Sequence, residues 1–97
     1  MSRRRHYLIT YDISDDKRRN KVFKMLMGAG DHIQYSVFFC DLNDAELASL
    51  RARLRPLLHT QEDQLLIVDL GPATDPLVED IQALGRAYDP PVRTLVV

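Results

Sequence analysis

The chain begins with an apolar and aromatic run, Tyr7-Leu8-Ile9-Thr10-Tyr11, that ends on an acid, Asp12. β-Branched and aromatic residues predict a strand over residues 6–13, and its nearly continuous apolar character predicts a central strand covered on both faces. The period then changes. Val22, Met25, Leu26 and Ala29 recur at the i, i+3, i+4, i+7 spacing of an amphipathic helix. Ser14 suits its N-cap, Asp15 and Asp16 its first turn, and Gly28 and Gly30 its end. Residues 32–42 are β-rich and fit either one long strand or two short ones reversing near residues 34–36. Asn43 or Asp44 caps a second helix, with Leu47, Leu50, Leu54, Leu57 and Leu58 on one side and Arg51, Arg53 and Arg55 largely on the other. Pro56 predicts a kink or an early end. Residues 64–70 read as a strand closed by Gly71-Pro72.

The remainder predicts a short helix capped by Asp75 and begun by Pro76, with Leu77, Ile81 and Leu84 inward. Asp89-Pro90-Pro91 breaks it, and residues 92–97 form an apolar strand suited to pairing with another sheet edge, including a partner chain's. The order β-α-β(β)-α-β plus a final strand predicts an α+β, ferredoxin-like β-α-β-β-α-β sandwich. The expected organisation is a single domain over residues 1–97, with its core in 1–70, a linker able to hold a short helix in 71–91, and a terminal strand in 92–97. Many functions occur on this fold, so the site must decide among them.

Composition changes this picture in three ways. Ninety-seven residues make a domain that buries only about 60–65% of its unfolded surface, and such domains often gain stability by dimerising. A single cysteine, Cys40, cannot form an internal disulfide, which fits a reducing cytosol. No apolar run approaches the roughly 20 residues of a membrane span. The basic start, Arg3-Arg4-Arg5, is followed by an apolar stretch that stops at Asp12 without a small-residue cleavage site. The expectation is a soluble cytoplasmic protein with no membrane partner.

Charge is the third. The net charge of −1 conceals an asymmetry: residues 1–24 carry eight Lys/Arg against three Asp, a balance of +5, and the rest of the chain is −6. Local potential rather than the average attracts phosphate.

Asp12 ends a strand at its carboxyl tip, where α/β proteins commonly present ligands. One carboxylate is too few for a tight magnesium site, although magnesium can complete its shell with water and phosphate oxygens. Two copies of Asp12 facing across a twofold axis could share one ion. The alternative is that Asp12 merely begins the turn into the helix. Lys17, Arg18, Arg19 and Lys21 lie in the first two helical turns, where cations oppose the helix dipole. An anionic partner would offset that placement, and Asp15 and Asp16 supply a competing compensation. Tyr7, Tyr11, Tyr35, Phe38 and Phe39 are either base-stacking platforms or, as strand residues usually are, core. Ser36 can donate to phosphate or serve a turn. No general base for a serine nucleophile stands out. His6, His32 and His59 lack metal-ligand spacing, and Cys40 has no CxxC partner, so a zinc site is not expected.

Tyr11-Asp12-Ile13, then Arg19 and Lys21-Val22, then Gly30 and Gln34-Tyr35-Ser36-Val37-Phe38 together resemble the small CRISPR-associated endoribonuclease family, the second of the core Cas proteins. The resemblance runs in order from about residue 7 to 70. It implies a ferredoxin-like homodimer in which the C-terminal strand packs on the partner's sheet, with Mg²⁺ held between two Asp12 carboxylates, one per subunit. It also implies metal-dependent cleavage of RNA or DNA, with Tyr11, Asp12, Arg19, Ser36 and Phe38 around the catalytic site. Lys17, Arg18, Arg19, Lys21 and His32 are then the nucleic-acid-binding set. The family further implies a DNA-binding adaptor for the CRISPR integrase in spacer acquisition, holding double-stranded DNA. His32 stands where an arginine is common, which would make a phosphate contact there pH-dependent near neutrality. Phe39 occupies a position often taken by glutamate, and residues 72–91 are longer than a minimal tail.

Four readings follow: a magnesium-dependent nuclease, a purely structural adaptor that binds DNA without cutting it, a toxin-like ribonuclease of the same fold, and a metabolite-binding regulatory domain. The last lacks a glycine-rich phosphate loop.

Overall fold

The structure is a computed structural model and describes residues 3–74 and 81–89. The elements are β1 (Arg5–Asp12), α1 (Asp16–Met27), β2 (Asp31–Gln34), β3 (Val37–Leu42), α2 (Asp44–Leu54), a 3₁₀ turn (Arg55–Leu57) and β4 (Gln64–Pro72). The four strands form one sheet in the order β2-β3-β1-β4, and every neighbouring pair is antiparallel. This is the ferredoxin-like arrangement that the element order predicts.

The core lies on one face of that sheet. Tyr7, Ile9 and Tyr11 of β1 and Phe38, Cys40 and Leu42 of β3 are buried with Val22 and Leu26 of α1 and Leu50 and Leu54 of α2. Leu65 and Ile67 of β4 pack against them, partly buried. The other face is open among the described residues, which corrects the expectation of a strand covered on both sides. β1 alternates buried Tyr7, Ile9 and Tyr11 with half-buried Leu8 and Thr10. Cross-strand pairing sets Leu8 beside Phe39 and Val68, and Thr10 beside Val37 and Leu66. Leu66, Val68 and Leu70 are each more than 40% exposed. Apolar residues therefore occupy both faces of the sheet, and helices cover one.

The local signals mostly hold, with shifts at the ends. Asp15, not Ser14, is the N-cap of α1, and its carboxylate accepts from the Arg18 amide at 2.9 Å. Asn43 caps α2 in a reciprocal capping box with Glu46 (2.8 and 2.9 Å). Pro56 stops the α-helix, and the chain tightens into the 3₁₀ turn. Residues 32–42 divide into two strands that reverse at Tyr35-Ser36. Gly30 is required by close approach: a Cβ there would lie 2.4 Å from the Phe39 carbonyl oxygen and 2.5 Å from Cys40 Sγ. That thiol is pushed up to about 11, chiefly by burial and then by Asp31, so it stays protonated at neutral pH.

β4 runs through Pro72, two residues beyond the predicted strand, so the expected linker begins within it. Ile81 and Leu84 are not helical, and Leu84 is 98% exposed rather than inward. Asp75, Pro76 and Leu77, which begin the expected short helix, and the strand over residues 92–97 lie outside the described residues. Among the described residues, no helix is long and apolar enough to cross a membrane.

Candidate active site

Asp12 closes β1 and is exposed. By the alternation of the strand it lies on the open face with Leu8 and Thr10, opposite Gln64 of β4. It also borders a cleft of about 390 Å³ formed where β1 turns into α1 and the β2–β3 turn comes alongside. Tyr11, Ile13, Arg19, Asn20, Phe23, Tyr35 and Ser36 complete its wall. The fold thus joins three separate sequence segments at one strand tip. The β2–β3 turn is fixed there by a bond from the Tyr11 amide to the Ser36 carbonyl at 3.2 Å.

The cations of α1 divide into two groups. Lys17, Lys21 and Lys24 are exposed, and none has a carboxylate partner among the described residues. Arg18 is different. Its Nε and one Nη donate to Asp63 at 2.8 and 3.2 Å, and an Nη reaches Glu62 at 3.3 Å. That fork ties α1 to the segment before β4, so this arginine is engaged within the protein rather than presented to phosphate. Arg19 folds back on its own loop: one Nη donates to the Ile13 and Ser14 carbonyls at 3.1 and 3.3 Å, and the other pairs with Asp16. It therefore fixes the turn that follows Asp12 while still lining the cleft.

The Arg18 fork has a measurable signature. Asp63 has no exposed side-chain surface. Its carboxyl is held below the ordinary value of 3.8, first by the Arg18 hydrogen bond and then by the His59 amide. A lowered carboxyl stabilises the fold above its ordinary value, and that contribution is lost as pH falls through the folded value. Asp63→Asn is expected to lower Tm by several degrees at pH 7 and to narrow the gap from wild type as the medium is acidified below 3.8. Thermal melts across that pH range check it; superimposed curves at every pH would show that the pair contributes nothing.

Other predicted site residues are placed unequally. Ser36 lines the cleft. Tyr11 lines it with a ring that is otherwise core, and burial pushes its phenol up against the opposing pull of Arg19. Phe38 is a correction: it is 0% exposed, so it underlies the cleft rather than lining it. Its ring meets Tyr11 at 6.3 Å, Phe23 at 5.7 Å and His32 at 4.9 Å between centroids. His32 is likewise turned inward, lying edge-on to Phe23 (5.1 Å), with its Nε2–H donating to the Tyr35 carbonyl at 2.7 Å. That nitrogen is occupied by the turn rather than free for phosphate. Tyr35, read from the sequence as either a stacking platform or core, is 87% exposed. Asn20, an exposed amide on the cleft wall, carried no motif that could have revealed it.

Among the described residues no three His, Cys, Asp or Glu side chains cluster as a metal site. Asp12 supplies one hard oxygen donor, a partial set that suits magnesium once water, phosphate oxygens or a second carboxylate complete it. A larger cleft of about 570 Å³ lies between α2 and β4. Its one carboxylate, Asp69, is taken by Arg5 Nε at 3.0 and 3.1 Å and by the Gly71 amide, and the rest of its wall is Tyr7, leucine and isoleucine with Arg51 and Arg55. The smaller cleft is the one of the two that borders an exposed carboxylate outside any ion pair among the described residues, that of Asp12.

The family model for CRISPR associated protein Cas2 matches residues 5–75 of this chain, the whole span from β1 through β4. The chain belongs to the Cas2 family. It is 33% identical over 91 residues to the CRISPR-associated endoribonuclease Cas2 of Geobacter sulfurreducens, covering 94% of this chain and 95% of that one. It is 36% identical over 94 residues to a CRISPR-associated endonuclease Cas2 of Thermus thermophilus, with 97% of each covered. The crystal structure of Streptococcus pyogenes Cas2 superposes with a TM-score of 0.70 at 27% identity, over 82% of this chain and 99% of that one. The Cas2 match contains Asp12 and every residue named on the cleft wall.

Proposed function

We propose that this Cas2 protein is a magnesium-dependent endonuclease that hydrolyses phosphodiester bonds of RNA or DNA as a homodimer. The observation that carries this is the position of Asp12. It stands exposed at the border of the cleft of about 390 Å³ and at the margin of an apolar sheet face left uncovered among the described residues. Leu66, Val68 and Leu70 on that face are the kind of surface a second copy covers. If two such faces join about a twofold axis along this margin, the two Asp12 carboxylates would be brought together. The two carboxylates would hold one Mg²⁺. Bound there, the ion supplies Lewis-acid charge neutralisation and a more acidic water.

The chain's own groups do the rest. The Ser36 hydroxyl and the Asn20 amide can donate to phosphate oxygens, and Arg19 holds the Ile13-Ser14 backbone so that Asp12 keeps its place. Lys17 and Lys21, exposed and unpaired among the described residues, take the nucleic-acid backbone. The names of the relatives, endoribonuclease in one and endonuclease in another, support a nuclease role.

A second reading has its own observation. The lysines of α1 need no metal, so the same dimer can hold double-stranded DNA as an adaptor for the CRISPR integrase without cutting it. Filter binding with Lys17→Glu/Lys21→Glu separates backbone contact from catalysis. Removing these two phosphate contacts should flatten the salt dependence by about 1.8 log units of affinity per log unit of salt for a duplex. An unchanged slope would remove α1 from the interface. Cleavage that continues unaltered in excess chelator would reject the metal dependence, whereas duplex binding with no cleavage in magnesium would leave the adaptor.

A further inference from the structure

The turn between β2 and β3 carries a residue that the fold itself does not favour. Tyr35 has φ = 43°, the one left-handed non-glycine backbone among the described residues. Glycine or asparagine adopts that conformation readily, whereas a bulky side chain adopts it under strain. Burial does not offset the strain, because the ring is 87% exposed. Strained, overdetermined residues cluster at functional sites.

The turn is also held rigid from beneath. The His32 ring, lodged against Phe23 and Phe38 of the core, donates to the Tyr35 carbonyl at 2.7 Å. The next carbonyl, Ser36, accepts from the Tyr11 amide at 3.2 Å. Both peptide units of the tip are therefore tied to the core, and Tyr35 lines the cleft together with Asp12, Asn20 and Ser36. A solvent-exposed aromatic ring carried on a fixed backbone beside a phosphate-directed site has the chemistry of a stacking platform. Any nucleobase has a π-face to lay on it.

We propose that Tyr35 is the base-stacking residue of this site, receiving an unpaired nucleobase next to the bound phosphate. The ring selects for a base free of its own helix, and His32 positions it through the Tyr35 carbonyl. This deepens the nuclease reading above and rests on it.

The test uses full-length protein carrying Asp12→Asn, so that binding is measured without turnover. Single-stranded RNA and DNA oligonucleotides carry 2-aminopurine or an abasic site stepped through the sequence. At one position 2-aminopurine should change its emission on binding, and an abasic site there should weaken binding by about tenfold or more. Tyr35→Phe and Tyr35→Trp should keep that affinity. Tyr35→Gly and Tyr35→Asn should lose about the same factor, with Tm equal to or above that of the parent because both residues accept φ = 43°. The abasic site and Tyr35→Gly together should weaken binding no further than either alone. Whichever nucleic acid shows the dependence identifies the natural one. If the protein binds and cleaves while Tyr35→Gly behaves as the parent and no abasic position matters, the stacking role is wrong and the nuclease stands. If wild type neither binds nor cleaves RNA or DNA, both are wrong.

Discussion

Asp12→Ala is expected to reduce magnesium-dependent cleavage by on the order of 10²–10³-fold, the usual loss when one group aimed at developing charge is deleted. The fold should be unaffected. Asp12 is exposed at the last position of β1, and substitutions at such surface positions usually change stability by no more than about 0.5 kcal/mol. Nucleic-acid affinity should survive as well, since the lysines of α1 are separate from the carboxylate. The decisive version mixes subunits. If two Asp12 carboxylates form one site, a mixed dimer is inactive, and activity falls with the square of the wild-type fraction after subunit exchange. A linear fall would mean that each chain carries its own site, and full activity in the homogeneous variant would place catalysis elsewhere. The cleavage assay therefore reports both the residue and the symmetry of the centre.

How far the fold was legible depended on whether its signals were local. The cap at Asn43, one of the two residues offered for it, the early end at Pro56 and the stripe of Val22 and Leu26 all act within one or two turns, and each is found in the structure. Ser14 and Asp15 are both good caps and differ only by one residue of register, which backbone geometry decides. The open sheet face was misread for a deeper reason. Leu65, Leu66, Ile67 and Val68 are apolar in succession, which implies that both faces of β4 are suited to burial. The pattern does not say whether helices of the same chain or a second chain cover each face. Here the helices cover the face of Leu65 and Ile67, and Leu66 and Val68 remain exposed.

The site was legible in its acid and less so in its cations. Lys17, Arg18, Arg19 and Lys21 look equivalent along α1. Arg18 is distinguished only by Asp63, 45 positions away, and Arg19 by two carbonyls of the loop it helps to close. Sequence reports charge, and tertiary pairing determines which charges remain available. Tyr35 shows the same limit from the other side. Within Gln34-Tyr35-Ser36 it reads as another strand aromatic, and its exposure follows only from the placement of the turn and its positive φ. The resemblance to Cas2 grouped Phe38 with the site as one of the positions matching the family's. Alternation along β3 turns it to the core instead.

Phe38→Ala is accordingly expected to act through stability, at about 3–5 kcal/mol for emptying a fully buried phenylalanine site. That is a large share of the roughly 5–15 kcal/mol that holds a small domain together. The ring fills the space between Tyr11, Phe23 and His32, so its loss also frees the imidazole that anchors the Tyr35 carbonyl. Phe38→Leu keeps most of the volume and should cost less than about 1.5 kcal/mol. Urea unfolding at fixed protein concentration measures both, because a dimer's stability shifts with concentration. Cleavage per folded molecule then separates the two roles. A packing residue leaves Phe38→Leu close to wild type in rate, whereas a substrate-contacting residue would lose activity in Phe38→Leu without a matching loss of stability. The second pattern would mean that the core opens to substrate, and the inward reading of β3 would have to be abandoned.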